Sequence, residues 1–300
     1  MSEEIETKEF GEPKSEVIES LRDLRGDLHL HSSGSNVPGE PRKSYPIERL
    51  GKYVVERIGA KKENQPGIEY FLLAEHVGRP DETTPFQGID TEGGQRLIKQ
   101  KEEVEKIDKE GKFPGLTILQ GAEVNVYPGA KLDLPDEVLK KMDMVIASRH
   151  YDLEEKTVDQ QIAVWEKVVK NPYIDILGHP EGKWGEHGFQ LDQKGWSKLI
   201  DLAKQYDKAI EINVNQFKNY HPDSLKMLAE SGAKVSYGSD THDLKKIGKD
   251  EKLGTDWRQF AEVVTEMRKS GIKKSQIINC LPLNELRQWR QERIEKFEKQ

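Results

Sequence analysis

The feature that most constrains the fold is a repeated alternation of short apolar runs with segments of helical period. Most runs are apolar at consecutive positions, which is typical of strands buried on both faces of a parallel sheet. They cover residues 27–31, 70–76, 117–126, 144–150, 174–179, 209–215 and 234–240. The segments between them predict helices over 47–60, 93–110, 158–170, 195–205, 223–231 and 256–270. Seven strands alternating with helices indicate a parallel α/β architecture close to a closed barrel.

This pattern predicts one domain over residues 22–300, because no Pro-, Gly- or Ser-rich hinge interrupts it. Residues 1–21 are acidic and lack the basic and apolar regions of a signal peptide, so we predict a flexible leader. No apolar stretch approaches the length of about 18 residues that a transmembrane helix needs. The single cysteine, Cys280, cannot form an internal disulfide, which is typical of the reducing cytoplasm. The C-terminal stretch NELRQWRQERIEKFEKQ predicts a charged helix packed against the barrel.

The net charge restricts the partners that the protein can bind. The chain carries 47 Lys and Arg against 54 Asp and Glu, a net charge of −7. Affinity for a duplex comes from many basic side chains on its phosphates, so tight binding to duplex DNA is not expected. A small basic rim around an acidic, cation-filled pocket is still compatible with this charge. The sequence gives no indication of the oligomeric state.

Potential metal ligands stand at the ends of six of the seven apolar runs. Alternate side chains of a strand share a face, so the pair His29 and His31 presents two imidazoles in one direction. Taken alone, this pair fits two solvent-facing histidines on an edge strand equally well. Six of the eight histidines and two acids share this position, however: His29, His31, His76, Glu123, His150, His179, Asp240 and His242. Active sites of (β/α) barrels lie at the C-terminal ends of the strands, so together these residues predict a metal site there.

Six motifs in order carry a resemblance to a known family. DLHLHS, AEH, GAEVN, ASRH, ILGHP and GSDTHD resemble the successive motifs of the PHP (polymerase and histidinol phosphatase) superfamily. The resemblance runs from about Arg25 to Trp289, and residues 121–150 are most similar to the C-terminal PHP domain of bacterial family X DNA polymerases. We expect that domain here without its polymerase part. The resemblance implies a distorted (β/α)7 barrel with up to three metal ions in its mouth.

The resemblance also distributes the ligands among the ions. Glu123 would bridge two ions, whose other ligands would be His29, His31 and Asp240 on one side and His150 and His179 on the other. His76 and His242 would hold a third ion together with a ligand from the loop after His31. Relatives usually carry Asp or His in that loop, whereas this chain offers Asn36. Mixed imidazole and carboxylate sites suit Zn, Mn or Fe, so we expect two to three divalent transition-metal ions.

The implied activity is a metal-dependent phosphoesterase in which a hydroxide activated by the metal ions attacks phosphorus. Glu123, Asp240 and His242 are the candidate catalytic residues, with His242 or the adjacent Asp243 protonating the leaving alkoxide. Many relatives carry Asp where this chain has Glu75, and we expect Glu75 to orient a neighbouring imidazole. No G-x-S-x-G motif indicates a serine nucleophile.

The substrate is less constrained than the metal site. The candidate substrate-binding residues follow strand ends and are Arg79, Arg149, Lys183, Asn213 and Asn215. Ordinary ion pairs and polar packing explain these residues equally well. We favour a small phosphorylated substrate or a nucleic-acid end. The alternatives are a dedicated histidinol-phosphate phosphatase, which Glu75 keeps open, and a non-catalytic module stabilised by metal.

Overall fold

The computed structural model describes residues 16–35, 46–55, 67–77, 91–150, 157–181, 191–242, 244–247, 250–253 and 257–299. Seven parallel strands form the central sheet. They are β1 Gly26–Leu30, β2 Tyr70–His76, β3 Thr117–Tyr127, β5 Met144–Ser148, β6 Ile176–Leu177, β7 Ala209–Asn213 and β8 Val235–Gly238, adjacent in that order. The short β4, Lys131–Leu132, pairs with β3 in antiparallel fashion. The predicted parallel α/β architecture is therefore confirmed.

The two edge strands of this sheet meet at the carboxyl end. The Asp240 N–H donates to the His29 carbonyl at 2.8 Å, and the His31 N–H donates to the Thr241 carbonyl at 3.0 Å. A parallel bridge joins Leu30 to Thr241 at the same place. These contacts close the sheet into a distorted barrel and bring β1 beside the residues that follow β8.

Helices surround the barrel. The described α-helices are α1 Ile47–Tyr53, α2 Thr91–Lys109, α3 Asp136–Leu139, α4 Val158–Val168, α5 Gln193–Gln205, α6 Ser224–Ser231, α7 Trp257–Lys269 and α8 Leu283–Glu298. Helix α4 begins where Thr157 and Gln160 form a capping box, and α6 ends at Gly232 in the left-handed conformation. None of the described helices is both long and apolar enough to span a membrane.

Three short elements were missing from the sequence prediction. These are β4, α3 and an antiparallel hairpin of β9 Leu244–Ile247 and β10 Asp250–Leu253. Several strands are also shorter than predicted, because β5, β6, β7 and β8 end before the polar residues that close their runs. The residues His150, His179, Asn215 and Asp240 therefore stand in the turns beyond the strands.

The chain begins to pack earlier than predicted. Ile18 and Leu21 are buried, and the Ile18 N–H donates to the Ile272 carbonyl at 3.1 Å. These two apolar side chains, which precede the predicted boundary at residue 22, join the core cluster beside α7. The flexible leader stays a prediction for residues 1–15, which lie outside the described residues.

A register shift in β1 decides which side chains enter the barrel. Asp27 pairs with Phe71 of β2, whereas Leu30 pairs with Leu73, so the register shifts by one residue between the two pairs. Leu30 consequently joins Phe71 and Leu73 in the outer apolar cluster. Bulges of this kind are common beside active sites because they re-aim side chains. His31, the next residue after Leu30, faces the opposite way, and its Nε2 lies 3.3 Å from Asp240 Oδ1.

Candidate metal centre

The structure brings together all of the predicted metal ligands that it describes. Neighbouring imidazole rings have centroid separations of 5.1 Å for His29–His31, 4.4 Å for His31–His76 and 5.1 Å for His150–His179. His242 completes the cluster with its ring centroid 4.1 Å from that of His31. Asn36, Arg79 and Lys183 lie outside the described residues, and so does His187.

Glu123 is fully buried at the centre of this cluster. It stands opposite His76 in the register of β3 and β2. Its Oε1 lies 3.1 Å from His150 Nε2 and 2.9 Å from His179 Nε2. Its Oε2 lies 2.9 Å from His76 Nδ1 and 3.4 Å from His29 Nε2. The two oxygens of one carboxylate therefore face two different sets of imidazoles.

Asp240 adds a second carboxylate on the side of Glu123 Oε2. Its Oδ1 lies 3.3 Å from His31 Nε2 and 3.4 Å from His242 Nδ1. The Asp240 backbone has a φ of 50°, in the left-handed region that non-glycine residues seldom adopt. Such conformations cost on the order of 1–3 kcal/mol and concentrate at functional sites.

His76 is shared between two parts of the cluster. Its Nε2 lies 3.0 Å from His242 Nε2, as expected for a pair that holds one ion. Its Nδ1, however, contacts Glu123, which the sequence did not predict. Three groups of ligand atoms lie within 4.8 Å of one another: His31, His76 and His242; His29, His31 and Glu123; His76, Glu123 and His150.

The buried atoms of the cluster fit a cation. Within the described part of the chain, His29 Nε2, His31 Nε2 and Glu123 Oε2 are buried and have no hydrogen-bond partner with acceptable geometry. A buried polar atom without a partner is costly, so three that converge on one place require explanation. A divalent transition metal would satisfy all three, and imidazoles with carboxylates are a donor set that such ions prefer.

The electrostatics of most of the cluster agree with this fit. Burial alone would raise the pKa of Glu123, but the neighbouring imidazoles of His150, His29 and His76 outweigh it and hold that pKa well below its usual range. Burial lowers the pKa of His76 to about 4, although Glu123 opposes the change. Burial, with His242 and His76 nearby, lowers the pKa of His31 well below its usual range. Ionised carboxylates and neutral imidazoles are the forms that bind metals. At His29, burial lowers the pKa, but the neighbouring carboxylates of Glu211, Glu123 and Asp240 outweigh it and hold that pKa well above its usual range, so a metal ion there must displace a proton.

Asn125 and Asp133 orient one of the ligands, and sequence reasoning missed both. Asn125 Oδ1 lies 2.7 Å from His150 Nδ1, so the other ring nitrogen of His150 points at Glu123. Asp133 holds Asn125 in turn, accepting from its Nδ2 at 2.6 Å. The signal was the asparagine two residues after Glu123 in GAEVN, on the same face of the strand.

Glu75 acts on the cluster indirectly. It accepts hydrogen bonds from the Ser32 and Ser35 hydroxyls and from Gln100 Nε2, the last at 2.9 Å. Ser35 Oγ in turn lies 2.9 Å from His31 Nδ1 and accepts from the His76 N–H at 3.0 Å. The sequence predicted that Glu75 orients an imidazole, and the structure places Ser35 between the two.

The described candidate substrate-binding residues lie around the cluster. Arg149 is buried and directly precedes His150. Asn213 is also buried, with its Nδ2 3.3 Å from Asp240 Oδ2, and Asn215 Nδ2 donates to the Asp240 carbonyl at 2.9 Å. Both asparagines thus contact Asp240. His221 hydrogen-bonds through its backbone to Glu181 and accepts from the Asp223 N–H, away from the cluster.

No family model matches this chain. The DNA polymerase/3′-5′ exonuclease PolX of Bacillus subtilis is 26% identical over 276 residues, which are 90% of this chain and 41% of that protein. A probable phosphatase of Thermoanaerobacter sp. is 33% identical over 178 residues, 56% of this chain and 66% of that protein. The chain therefore spans less than two thirds of the length of each of these two relatives.

A probable phosphatase of Acetivibrio thermocellus is 30% identical over 203 residues, which are 65% of this chain and 75% of that protein. Among solved structures, histidinol phosphate phosphatase from Lactococcus lactis, in complex with zinc, L-histidinol and phosphate, matches with a TM-score of 0.50. It is 16% identical, and the match covers 84% of this chain and 98% of that chain. This likeness supports the distorted barrel.

Proposed function

The chain belongs to the PHP superfamily, and we propose that it hydrolyses phosphate esters at a divalent-metal centre in the mouth of its barrel. The observation that carries this proposal is the buried Glu123 carboxylate, whose two oxygens face two sets of imidazoles. Among the described residues, neither Glu123 nor Asp240 forms an ion pair with a lysine or arginine. This arrangement favours a pair of divalent cations as the missing positive charge.

The proposed ligands follow the two sides of Glu123. On the Oε2 side they are His29, His31 and Asp240, and on the Oε1 side they are His150 and His179. His76 and His242 would hold a third ion, for which Asn36 remains a proposed ligand. The proposed ions are manganese, zinc or iron, and a site of two or three imidazoles favours zinc or iron over magnesium or calcium.

When bound, such ions lower the pKa of a coordinated water and neutralise charge on phosphoryl oxygens. In our proposal the side chains of the protein hold the metal ligands in place and supply the proton for the leaving group. Asp240 is held by Asn213 and Asn215, so its Oδ1 stays directed at His31. His242 has a side chain 24% exposed at the rim, and when it does not hold the third ion we assign to it the donation of a proton to the leaving oxygen.

The proposed substrate is a small phosphomonoester, a nucleotide or a nucleic-acid end. The names of the relatives, a polymerase/exonuclease and probable phosphatases, favour phosphate esters. Arg149, with Arg79 and Lys183, would bind the terminal phosphate. The excess of acidic over basic residues opposes tight binding along a duplex, since that affinity depends on many basic contacts. We also propose a cytoplasmic location.

Phosphate release from a panel of substrates tests the proposal. The protein is stripped of metal and then supplied with Mn²⁺ or Zn²⁺ before it is given mononucleotides, 3′-phosphorylated oligonucleotides, a sugar phosphate and histidinol phosphate. We expect phosphate release that requires the metal. Much faster turnover of histidinol phosphate than of the other esters would instead identify a dedicated phosphatase.

Two histidine variants provide the matched comparison. His150→Ala should abolish phosphate release, whereas His221→Ala should behave like the parent because its contacts lie away from the cluster. Metal-independent release, or a fully active His150→Ala protein, would contradict the proposal. A protein that binds metal and hydrolyses no panel member would be a non-catalytic module.

A further inference from the structure

Glu211 is a buried carboxylate that belongs to none of the proposed ligand groups. It lies on β7 and is 0% exposed. Its Oε1 lies 2.6 Å from His29 Nδ1, the ring nitrogen that points away from Glu123. A hydrogen bond at that nitrogen fixes which nitrogen of the ring keeps its lone pair for a metal. Glu211 therefore directs His29 Nε2 at the centre.

The second oxygen of Glu211 holds a different ligand. Its Oε2 accepts from the His179 N–H at 2.7 Å and lies 3.4 Å from Asn213 Nδ2. His179 follows β6 with a φ of 20°, at the edge of the left-handed region. The hydrogen bond to Glu211 therefore holds the backbone of His179 in a conformation that few residues adopt.

These two histidines stand on opposite sides of Glu123. His29 Nε2 is 3.4 Å from Oε2, and His179 Nε2 is 2.9 Å from Oε1. One carboxylate behind the cluster, Glu211, thus contacts one member of each set of imidazoles.

The neighbouring strand leaves room for this contact. Gly238 of β8 pairs with Asn213 of β7. A Cβ atom at Gly238 would lie 2.3 Å from Glu211 Oε1 and 2.6 Å from His29 Cβ. Any larger residue would have to displace the Glu211 carboxylate from His29.

We propose that Glu211 is a positioning residue that couples the two sides of the metal centre, so that its loss weakens metal binding on both. This inference rests on the proposed metal centre. It does not depend on the phosphoesterase reaction, because metal binding is measured without a substrate.

Cobalt titration of the metal-free protein tests the coupling. The absorbance of bound Co²⁺ reports each binding step, and the test variant is Glu211→Gln. Its amide is uncharged and has only one acceptor oxygen, so one of the two N–H groups loses its acceptor and the other keeps only a weaker hydrogen bond to a neutral oxygen. We expect affinity to fall about 10–100-fold at both steps, the usual range for a group that orients a metal ligand.

Glu181→Gln is the matched control. Glu181 is also 0% exposed and accepts from the N–H groups of Leu191 and His221, both at 2.7 Å, and it contacts none of the proposed metal ligands that the structure describes. Its cobalt affinity should equal that of the parent. Glu211→Asp is the second test variant, because it keeps the charge while its shorter side chain cannot hold both contacts at their present distances. It carries the test if circular dichroism shows that Glu211→Gln does not fold.

Weakening of both steps in a folded test variant, with Glu181→Gln unchanged, supports the coupling. Unchanged cobalt binding, or weakening of a single step, would overturn it. A parent protein that binds cobalt at both steps and releases no phosphate from any ester would overturn the proposed function alone.

Discussion

The two ends of the barrel differ in the partners of their buried charged side chains. At the amino end, Asp175 is fully buried and accepts hydrogen bonds from Arg293, from Arg290 Nε at 3.1 Å and from the Val145 N–H at 2.7 Å. The buried Lys208 donates to the carbonyls of Asn171 and Ile174 at 2.8 and 2.7 Å. Each of these charges is therefore matched by groups of the chain itself.

At the carboxyl end, Glu123 and Asp240 form ion pairs only with histidines among the described residues. An imidazole supplies a positive charge only when protonated, and a neutral imidazole instead supplies a lone pair. The buried charges at the amino end are thus balanced within the chain, whereas the two carboxylates at the carboxyl end lack a permanently charged partner among the described residues. One end therefore stabilises the barrel, and the other fits a divalent cation.

The largest effect should come from Glu123→Ala, which removes the carboxylate shared by both sets of imidazoles. We expect phosphate release to fall to background and metal content to fall below one ion per chain. Far-UV circular dichroism should not change, because the amino end is intact. Elemental analysis and phosphate release measure the result. A variant with full metal content would show that the carboxyl end does not need Glu123 to hold its ions.

Chelation should affect both activity and stability. Ligands that bind only the folded state stabilise it by RT ln(1 + [L]/Kd), about 4 kcal/mol when free metal exceeds Kd by about 1,000-fold. Denaturant unfolding with and without a chelator should show a loss of this order. Equal unfolding free energies under the two conditions would mean that the carboxyl end needs no ion.

Arg293→Met should weaken the amino end alone. It removes a partner of Asp175, and an unpaired buried charge costs about 3–5 kcal/mol. The free energy of unfolding should fall accordingly while the metal content stays at the parental value. Arg290→Met is the graded control: its side chain is 14% exposed and it leaves the Arg293 contact in place, so a smaller loss is expected. Loss of metal in Arg293→Met would contradict the separation of the two ends.

The smallest effect should come from Asn125→Ala, which removes the hydrogen bond that orients His150. Metal affinity should fall about 10–100-fold while the fold remains. Asn219→Ala is the control, since its Nδ2 donates to Gln216 Oε1 and contacts no proposed metal ligand of the described chain. Titration calorimetry compares the two, and equal affinities would show that Asn125 does not orient His150.

The alternation of apolar runs was sufficient to predict seven parallel strands and the residues that end them. Burial on both faces of a parallel sheet requires consecutive apolar residues, so this information is local in the chain. The clustering of His76, Glu123, His150 and His179 followed from the same reasoning, because the carboxyl ends of parallel strands meet at one end of a barrel.

Only the closed barrel decided how these ligands are oriented. The register shift in β1 lies just before His31 and directs its side chain into the barrel. Glu211 and His29, which are in contact, are 182 positions apart in the sequence. Arg293 donates a hydrogen bond to Asp175, which lies 118 positions earlier in the sequence. Such partners cannot be predicted from residue types and spacing along a strand. Each contact forms only when the first and last strands meet and α8 covers the amino end.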